Sequence, residues 1–310
     1  MRSFSLFKIM LLCLAILIVD SVVFYWLKFI VNSFDLSYLK TVIYIVYWSF
    51  TVGLITSIIL LKVRLGTMHP KVKQLLVSYL YGLVVSSFIP KLIFVIAISG
   101  IVFTSFVLSK GVALLVILLI GIIFGFLPFI AIIYGIFRAL YQFKIRQLKI
   151  GFEDLPINFN KLKVVHISDL HLGSFNSRYQ ILARAVSIIN RLEPDLIFFT
   201  GDLVNNYAWE LKGWAAIFKR LSAKIGKYAV LGNHDYGDYS EWKSVAAKQS
   251  NFELIKYFFK KIDFNLLLND SNSIEIDGEE IAIIGVENWG NPPFKQYGDL
   301  RKSLKNISNI

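Results

Sequence analysis

The chain of 310 residues has a single cysteine, Cys13, which lies inside an apolar run. One cysteine can form neither a disulfide framework nor a thiolate metal site, so the sequence excludes both. Residues 10–12 lack the small residue that precedes a lipidated cysteine, and no small-x-small cleavage site follows the long first apolar run. We therefore interpret Cys13 as a membrane-facing residue and expect no cleaved signal peptide.

Acidic residues are scarce in the first half of the chain. Residues 1–150 contain 14 Lys and Arg but only two acids, Asp20 and Asp35, whereas residues 151–310 contain 19 residues of each sign. The net charge of +12 therefore belongs to the first half. The second half has no basic stripe with interleaved aromatics, so we expect no nucleic-acid partner. Membrane topology explains the excess of cations better.

Apolar residues make up 56% of the chain, and the mean hydropathy of +0.61 is too high for an ordinary soluble protein. Four stretches are long enough to cross about 30 Å of hydrocarbon; they are residues 9–30, 41–61, 75–108 and 111–137. Because Pro90 interrupts the third, we expect one proline-kinked or re-entrant element there. The prediction is a transmembrane region over residues 1–137 with about four helices. A fifth span would reverse the side of the remaining chain.

The distribution of cations predicts the orientation. Ten Lys and Arg residues lie before the first span, between the second and third, and after the fourth, against three in the other loops. Since cytoplasmic loops carry the excess of Lys and Arg, we expect both ends of the chain in the cytoplasm and the spans in the cell (inner) membrane. Residues 138–160 form a basic juxtamembrane linker that can rest against anionic lipid headgroups, at about 1 kcal/mol per cation.

Two charged residues, Asp20 and Lys91, fall inside or beside the predicted spans. Charge at this depth is costly, so it indicates either a transport pathway or a pair of opposite charges. Asp20 has no run of polar residues at helical spacing, which is unlike a transport pathway. The spans otherwise resemble membrane anchors.

From residue 162 the pattern alternates between strands and helices. We predict strands at 162–168, 195–199 and 227–231, and helices at 177–192, 208–222 and 239–262, the first with Ser177 and Gln180 at capping-box spacing. Short strands at 265–268, 273–276 and 281–286 follow, with an Asp277-Gly278 hairpin turn. Such alternation predicts an α/β domain with a largely parallel layered sheet, flanking helices and the beginning of a second sheet.

Polar clusters follow the first three predicted strands. They are Asp169-Leu170-His171, Thr200-Gly201-Asp202 and Gly232-Asn233-His234-Asp235. In parallel sheets ligands bind outside the carboxyl ends of the strands, where all three clusters fall. In an extended chain Asp169 and His171 would leave the strand on the same side and form half of a metal site. His166 has the opposite parity and is interpreted as a core or sheet residue. Trp289 is interpreted as packing, with a substrate wall as the alternative.

The three motifs together, about 30 residues apart, resemble the calcineurin-like metallophosphoesterase superfamily. The form of the first motif, residues 167–173, and the segment at residues 285–290 are similar to its membrane-associated bacterial branch. The resemblance covers about residues 160–295. It implies a multi-span helical membrane region followed by an α/β metallophosphoesterase domain at residues 161–310.

The resemblance also implies a reaction and a set of ligands. The reaction is hydrolysis of a phosphate ester or pyrophosphate, of a small-molecule or lipid-linked substrate, by attack of metal-bound hydroxide. The cofactors are two divalent metal ions, whose oxygen and imidazole ligands suit Mn, Fe, Co or Zn. The implied ligands are Asp169, His171, the bridging Asp202 and Asn233. His234 would contact the phosphate and help the leaving oxygen depart, and Asp235 would orient that imidazole.

The sequence departs from the family's pattern in its histidines. The family supplies later histidines, one on a following strand and two from a Gly-His-x-His loop, but the chain's four histidines end at His234. We therefore expect the domain to lack its C-terminal part and the second sheet to be incomplete. A truncated gene, completion by another polypeptide and a non-catalytic membrane protein that serves in assembly or interaction are the alternatives. A transporter with a regulatory domain would need polar faces in the spans that the sequence does not have.

Overall fold

The computed structural model describes residues 5–32, 37–68, 70–104, 142–175, 179–292 and 295–307, with scattered residues between 112 and 135. The chain divides into two compact units, one of residues 3–142 and one of residues 143–310.

The first unit contains three long helices in the described part of the chain. They are α1 (Leu6–Asn32), α2 (Ser37–Arg64) and α3 (Pro70–Thr104), and each is long and apolar enough to cross a bilayer. α3 continues through Pro90, which confirms the prediction of a single element there. The predicted fourth span, residues 111–137, lies mostly outside the described residues.

Asp20 on α1 and Lys91 on α3 form an ion pair. Lys91 Nζ lies 2.8 Å from Asp20 Oδ1, and only 1% of the Asp20 side chain is exposed. The Thr51 hydroxyl of α2 donates to the other carboxylate oxygen, and the Tyr47 hydroxyl donates to the Asp20 main-chain oxygen at 2.9 Å. The two charges therefore neutralise each other within a buried polar contact of all three helices.

The second unit is built on a parallel sheet. Its strands are β1 (Val164–Ile167), β2 (Leu196–Phe199), β3 (Gly226–Ala229) and β4 (Asn265–Leu266), in that spatial order. Val164 is in register with Leu196, and Leu196 with Gly226. Helices α4 (Tyr179–Arg191), α5 (Ala215–Phe218) and α6 (Val245–Lys261) connect the strands. The predicted α/β domain with a parallel sheet is confirmed.

Two predicted helices differ from the structure. The helix expected at residues 239–262 begins only at Val245, and the helix expected at residues 208–222 is broken. Residues 208–222 form a 3-10 turn, Ala208–Leu211, followed by the single-turn α5. Gly213 lies between them with a φ of 85°, a left-handed conformation that ends a right-handed helix. Ser177 of the predicted capping box lies outside the described residues.

The second sheet is an antiparallel hairpin of β5 (Asp270–Ile276) and β6 (Glu279–Gly285). Asp277 and Gly278 form its turn with φ values of 49° and 83°, the two positive angles of a type I′ turn. Ile274 packs in a hydrophobic cluster with Phe159, which precedes β1, and with Leu196 of β2 and Tyr228 of β3. The short helix α7 (Leu300–Ser303) follows.

Candidate metal and active site

The loops after β1 and β2 contain three non-glycine residues in the left-handed region. They are Asp169 (φ 55°), His171 (φ 43°) and Asp202 (φ 57°). Left-handed backbone costs most residues about 1–3 kcal/mol and concentrates at functional sites. Main-chain hydrogen bonds between the two loops stabilise this conformation. Asp169 N donates to Gly201 O and His171 N donates to Asp202 O, both at 3.0 Å.

Asp169 and His171 lie close together, but not because they leave an extended strand on the same side, as the sequence predicted. β1 ends at Ile167, so the two residues lie in a turn and not in extended chain. The left-handed turn places Asp169 Oδ1 3.9 Å from His171 Nε2. Asp169 keeps 66% of its side chain exposed.

Two glycines allow the loops after β2 and β3 to touch. A Cβ on Gly201 would collide with the main chain of Gly232, and a Cβ on Gly232 would collide with the Asp202 carboxylate. This close approach places the loop that carries His234 against Asp202.

His171, Asp202 and His234 form a group that could hold a metal ion, with ligand atoms within 4.8 Å of one another. His171 Nε2 lies 3.7 Å from Asp202 Oδ2, and the His234 main-chain N donates to Asp202 Oδ1 at 2.9 Å. The two imidazole rings meet edge to face, with centroids 4.8 Å apart. A carboxylate and two imidazoles are donors suited to a divalent transition metal.

The tautomer of His234 follows from its neighbour. Nδ1 lies 2.7 Å from the main-chain oxygen of Asn205, and because a carbonyl oxygen only accepts, Nδ1 carries the hydrogen. Neutral His234 therefore has its lone pair on Nε2, as a metal ligand or a proton acceptor requires. Sequence reasoning missed Asn205, and no signal could have revealed it, since every residue type has a main-chain oxygen.

Asp235 has a different role from the one that the resemblance implied. Its Oδ2 accepts from Asp202 N at 2.9 Å and Gly232 N at 3.0 Å, and its Oδ1 accepts from Leu203 N and Val204 N. The side chain is fully buried, and burial raises its pKa to about 7 although these donors lower it. Asp235 thus fixes the main chain of the loop after β2, and Asn205 orients the imidazole.

Asn233 contributes to a cavity of about 390 Å³ beside this group. Its Nδ2 donates to the Tyr239 hydroxyl at 2.7 Å, and this hydrogen bond orients the Asn233 amide. Tyr239 is a residue that the sequence did not single out. Asp169, Thr200 and Asp202 line the same cavity, and residues 286–289 line it too. The predicted residues therefore meet around one site, with Asp235 supporting it from below the surface.

Glu210 is a third residue that the sequence did not reveal. It is 5% exposed and accepts from the main-chain N–H groups of Asn205, Asn206 and Tyr207 at 2.6, 3.3 and 3.2 Å. Burial raises its pKa to about 7. Glu210 thus holds the loop whose Asn205 oxygen orients His234.

His166 lies in β1, as predicted, but it is exposed and not part of the core. Its Nε2 lies 2.6 Å from Thr200 Oγ1 on the neighbouring chain segment. It does not belong to the metal-capable group found among the described residues.

Comparison with known proteins assigns both halves of the chain. Residues 162–305 match the family described as "Calcineurin-like phosphoesterase", and residues 2–140 match "Probable Calcineurin-like phosphoesterase, transmembrane domain", a four-span family. No solved structure matches the chain.

Curated relatives come from animals and bacteria. A transmembrane protein with metallophosphoesterase domain from Danio rerio is 36% identical over 104 residues, 34% of this chain and 24% of that protein. Uncharacterized metallophosphoesterases from Bacillus subtilis and Aquifex aeolicus are 29% and 33% identical, over 46% and 58% of this chain and 47% and 64% of their own lengths. The chain thus spans between a quarter and about two-thirds of these relatives. This membrane protein therefore has a calcineurin-like phosphoesterase domain at residues 162–305, preceded by a phosphoesterase transmembrane domain at residues 2–140.

Proposed function

We propose that the protein is a membrane-bound, metal-dependent phosphoesterase that hydrolyses a phosphate ester or pyrophosphate. The observation that carries the proposal is the convergence of His171, Asp202 and His234 within 4.8 Å, in three loops from three neighbouring strands. Membership of the family supports the same reaction class.

The donors suit divalent metal ions such as Mn, Fe, Co or Zn. Asp202 has two oxygens that can serve two cations. His234, whose Nδ1 is committed to Asn205, presents Nε2 beside these donors. We propose two ions, which Asp169, His171, Asp202 and Asn233 would hold. When bound, such ions supply Lewis acidity towards phosphate oxygens and water.

The chain's own residues position the substrate and move a proton. We assign His234 the task of contacting the phosphate and, in its imidazolium form with a hydrogen on each ring nitrogen, protonating the leaving oxygen from Nε2, a general-acid role. Asn205 fixes the ring for this task. Asp235, whose carboxylate binds main-chain N–H groups of the loop after β2, holds Asp202 in place.

For the substrate we propose a phosphorylated small molecule or a lipid-linked phosphate. The phosphoesterase domain, residues 161–310 in our proposal, follows a transmembrane region and a basic linker at residues 138–160, which would keep the site close to lipid headgroups. The excess of Lys and Arg in the loops on one side of the predicted spans supports a phosphoesterase domain in the cytoplasm, attached to spans in the inner membrane.

The test is hydrolysis of an aryl phosphate by membranes that contain the full chain, with and without Mn²⁺. We expect Asp202→Asn to lower the rate more than about 100-fold. Substitution of a residue that only hydrogen-bonds to a metal ligand already lowers metal affinity or activity by about 10- to 100-fold, and Asp202 is a proposed ligand itself. His166→Ala is the control and should keep the wild-type rate. Equal rates in wild type and Asp202→Asn would contradict the proposal.

A further inference from the structure

The cavity beside the metal-capable group has two walls of different chemistry. One wall carries the polar side chains of Asp169, Asp202 and Asn233, and the other is the segment after β6 that ends in Trp289. Trp289 is 56% exposed. The volume of about 390 Å³ falls in the range of about 300–1,000 Å³ that small-molecule sites occupy.

The position of Trp289 is fixed by the chain around it. Its main chain forms an antiparallel bridge with Gln296, and the N–H groups of Tyr297 and Gly298 both donate to Asn288 O, at 2.9 and 3.0 Å. The indole rests on Gly298, where an added Cβ would lie 2.9 Å from Trp289 Cε3. A ligand that contacts this ring would therefore lose little binding free energy to the ordering of the protein.

The same wall is tied to the loop that carries His234. Glu287 accepts from the Tyr236 hydroxyl and from Asn269 Nδ2, both at 2.7 Å. Tyr236 follows His234 by two residues, and its ring stacks on Tyr297 with centroids 3.7 Å apart. The polar wall and the aromatic wall thus keep a fixed separation.

Resting on the proposed function, we propose that Trp289 determines specificity by stacking on a planar aromatic group that the substrate carries next to its phosphate. The phosphate would lie at the polar wall, where divalent ions held by Asp169 and Asp202 would offset the negative charge of these carboxylates. The group beside the phosphate would then lie at the indole. A planar aromatic ring that stacks on the indole gains a favourable quadrupole interaction in addition to the burial of its apolar area. A puckered saturated ring of the same size gains only the burial.

The experiment compares benzylphosphonate with cyclohexylmethylphosphonate, which have the same number of carbon atoms and a C–P bond that is not hydrolysed. Their binding to the detergent-solubilised full chain with Mn²⁺ is measured by calorimetry. We expect the wild type to bind benzylphosphonate about 5- to 30-fold more tightly, the usual worth of one aromatic stacking contact. Trp289→Ala should abolish this preference and Trp289→Phe should keep most of it. Tyr257→Ala removes a similarly exposed aromatic, 62% exposed on α6, and should change nothing.

Equal binding of the two phosphonates by wild type, binding of neither, or an unchanged preference in Trp289→Ala would overturn the inference. Hydrolysis of benzyl phosphate is followed in parallel. If it is hydrolysed without a preference that depends on Trp289, the proposed function stands and the inference fails. If the phosphonates are discriminated but benzyl phosphate is not hydrolysed, the aromatic site stands and the proposed reaction fails.

Discussion

His234 is held by two hydrogen bonds that do not depend on each other. Its main-chain N–H donates to the Asp202 carboxylate, and its ring Nδ1 donates to the main-chain oxygen of Asn205, so the ring has one orientation and presents Nε2. A side-chain substitution removes the second contact and leaves the first, which permits a test of chemistry with little change of fold.

We predict that His234→Gln lowers kcat by about 10²- to 10⁴-fold, the usual contribution of a general acid. The loss should be larger for phenyl phosphate than for p-nitrophenyl phosphate, because the poorer leaving group needs protonation more. Steady-state kinetics with both esters measures it, with His166→Gln as the control. Equal losses for the two esters would exclude protonation of the leaving oxygen by His234.

Glu210 predicts a dependence of stability on pH. Its pKa is about 7 in the folded chain against an ordinary 4.5, so the contribution is fully present below pH 4.5 and is lost as the pH rises through 7. Over this window the folded chain holds a proton on Glu210 that the unfolded chain releases, and Glu210 alone should lower the free energy of unfolding by about 3 kcal/mol.

Urea unfolding at pH 5 and 7.5, followed by tryptophan fluorescence, measures this change. Glu210→Gln does not titrate at this position and should decline by about 3 kcal/mol less than wild type. Asp235, whose pKa is also about 7, keeps its own decline in this variant. Glu241→Gln, at an exposed position, should decline as wild type does. The same decline in wild type and Glu210→Gln would show that another group causes it.

The sequence was informative about some of these residues and silent about others, for a physical reason. Asp169, His171, Asp202 and His234 follow strands of one parallel sheet, whose carboxyl ends share an edge, so their proximity was predictable. Glu210 and Asn205 act through main-chain N–H and C=O groups, which no residue pattern reveals. The left-handed turn after β1 was also missed, because the prediction treated residues 169–171 as extended.

At the scale of the elements, one ion pair connects helices α1 and α3. Asp20 is almost fully buried against Lys91, with hydroxyl donors from α2. A buried pair contributes little net stability, but removal of one partner leaves an uncompensated charge.

We predict that Asp20→Ala lowers the stability of the helical unit by about 3–5 kcal/mol. The double variant Asp20→Leu with Lys91→Met should recover most of the loss, since apolar side chains of similar size often replace a buried pair without cost. Thermal unfolding in detergent compares the two with wild type. A double variant less stable than Asp20→Ala would show that the pair itself holds the helices together.

Element boundaries were less predictable than element types. The hairpin turn at Asp277-Gly278 was found because its chemistry is local. The broken helix around Gly213 was not, since the apolar pattern of residues 208–222 continues across the glycine. The main chain leaves the helical conformation at Lys212, with a ψ of 123°, and at Gly213, with a φ of 85°.

For the molecule as a whole, the unequal distribution of charge and apolar residues predicted two units of different kinds. The same distribution predicts orientation, because Lys and Arg collect on the cytoplasmic side. The single cysteine makes this testable, since Cys13→Ser removes every thiol.

In that background we predict that Ser250→Cys, an exposed position on α6, is not labelled by a membrane-impermeant maleimide in intact cells. Labelling should appear once the cells are permeabilised. Labelling of intact cells would place the phosphoesterase domain outside and would require an odd number of spans before it.

The central claim is that the loops after β1, β2 and β3 form a metal centre. Its most direct test is the metal content of the purified full chain, measured by mass spectrometry after dialysis against trace Mn, Fe, Co and Zn. We predict about one or more ions per chain for wild type and His166→Ala, and about a tenth of that or less for Asp202→Asn. Wild-type protein that retains no more metal than Asp202→Asn would contradict the claim.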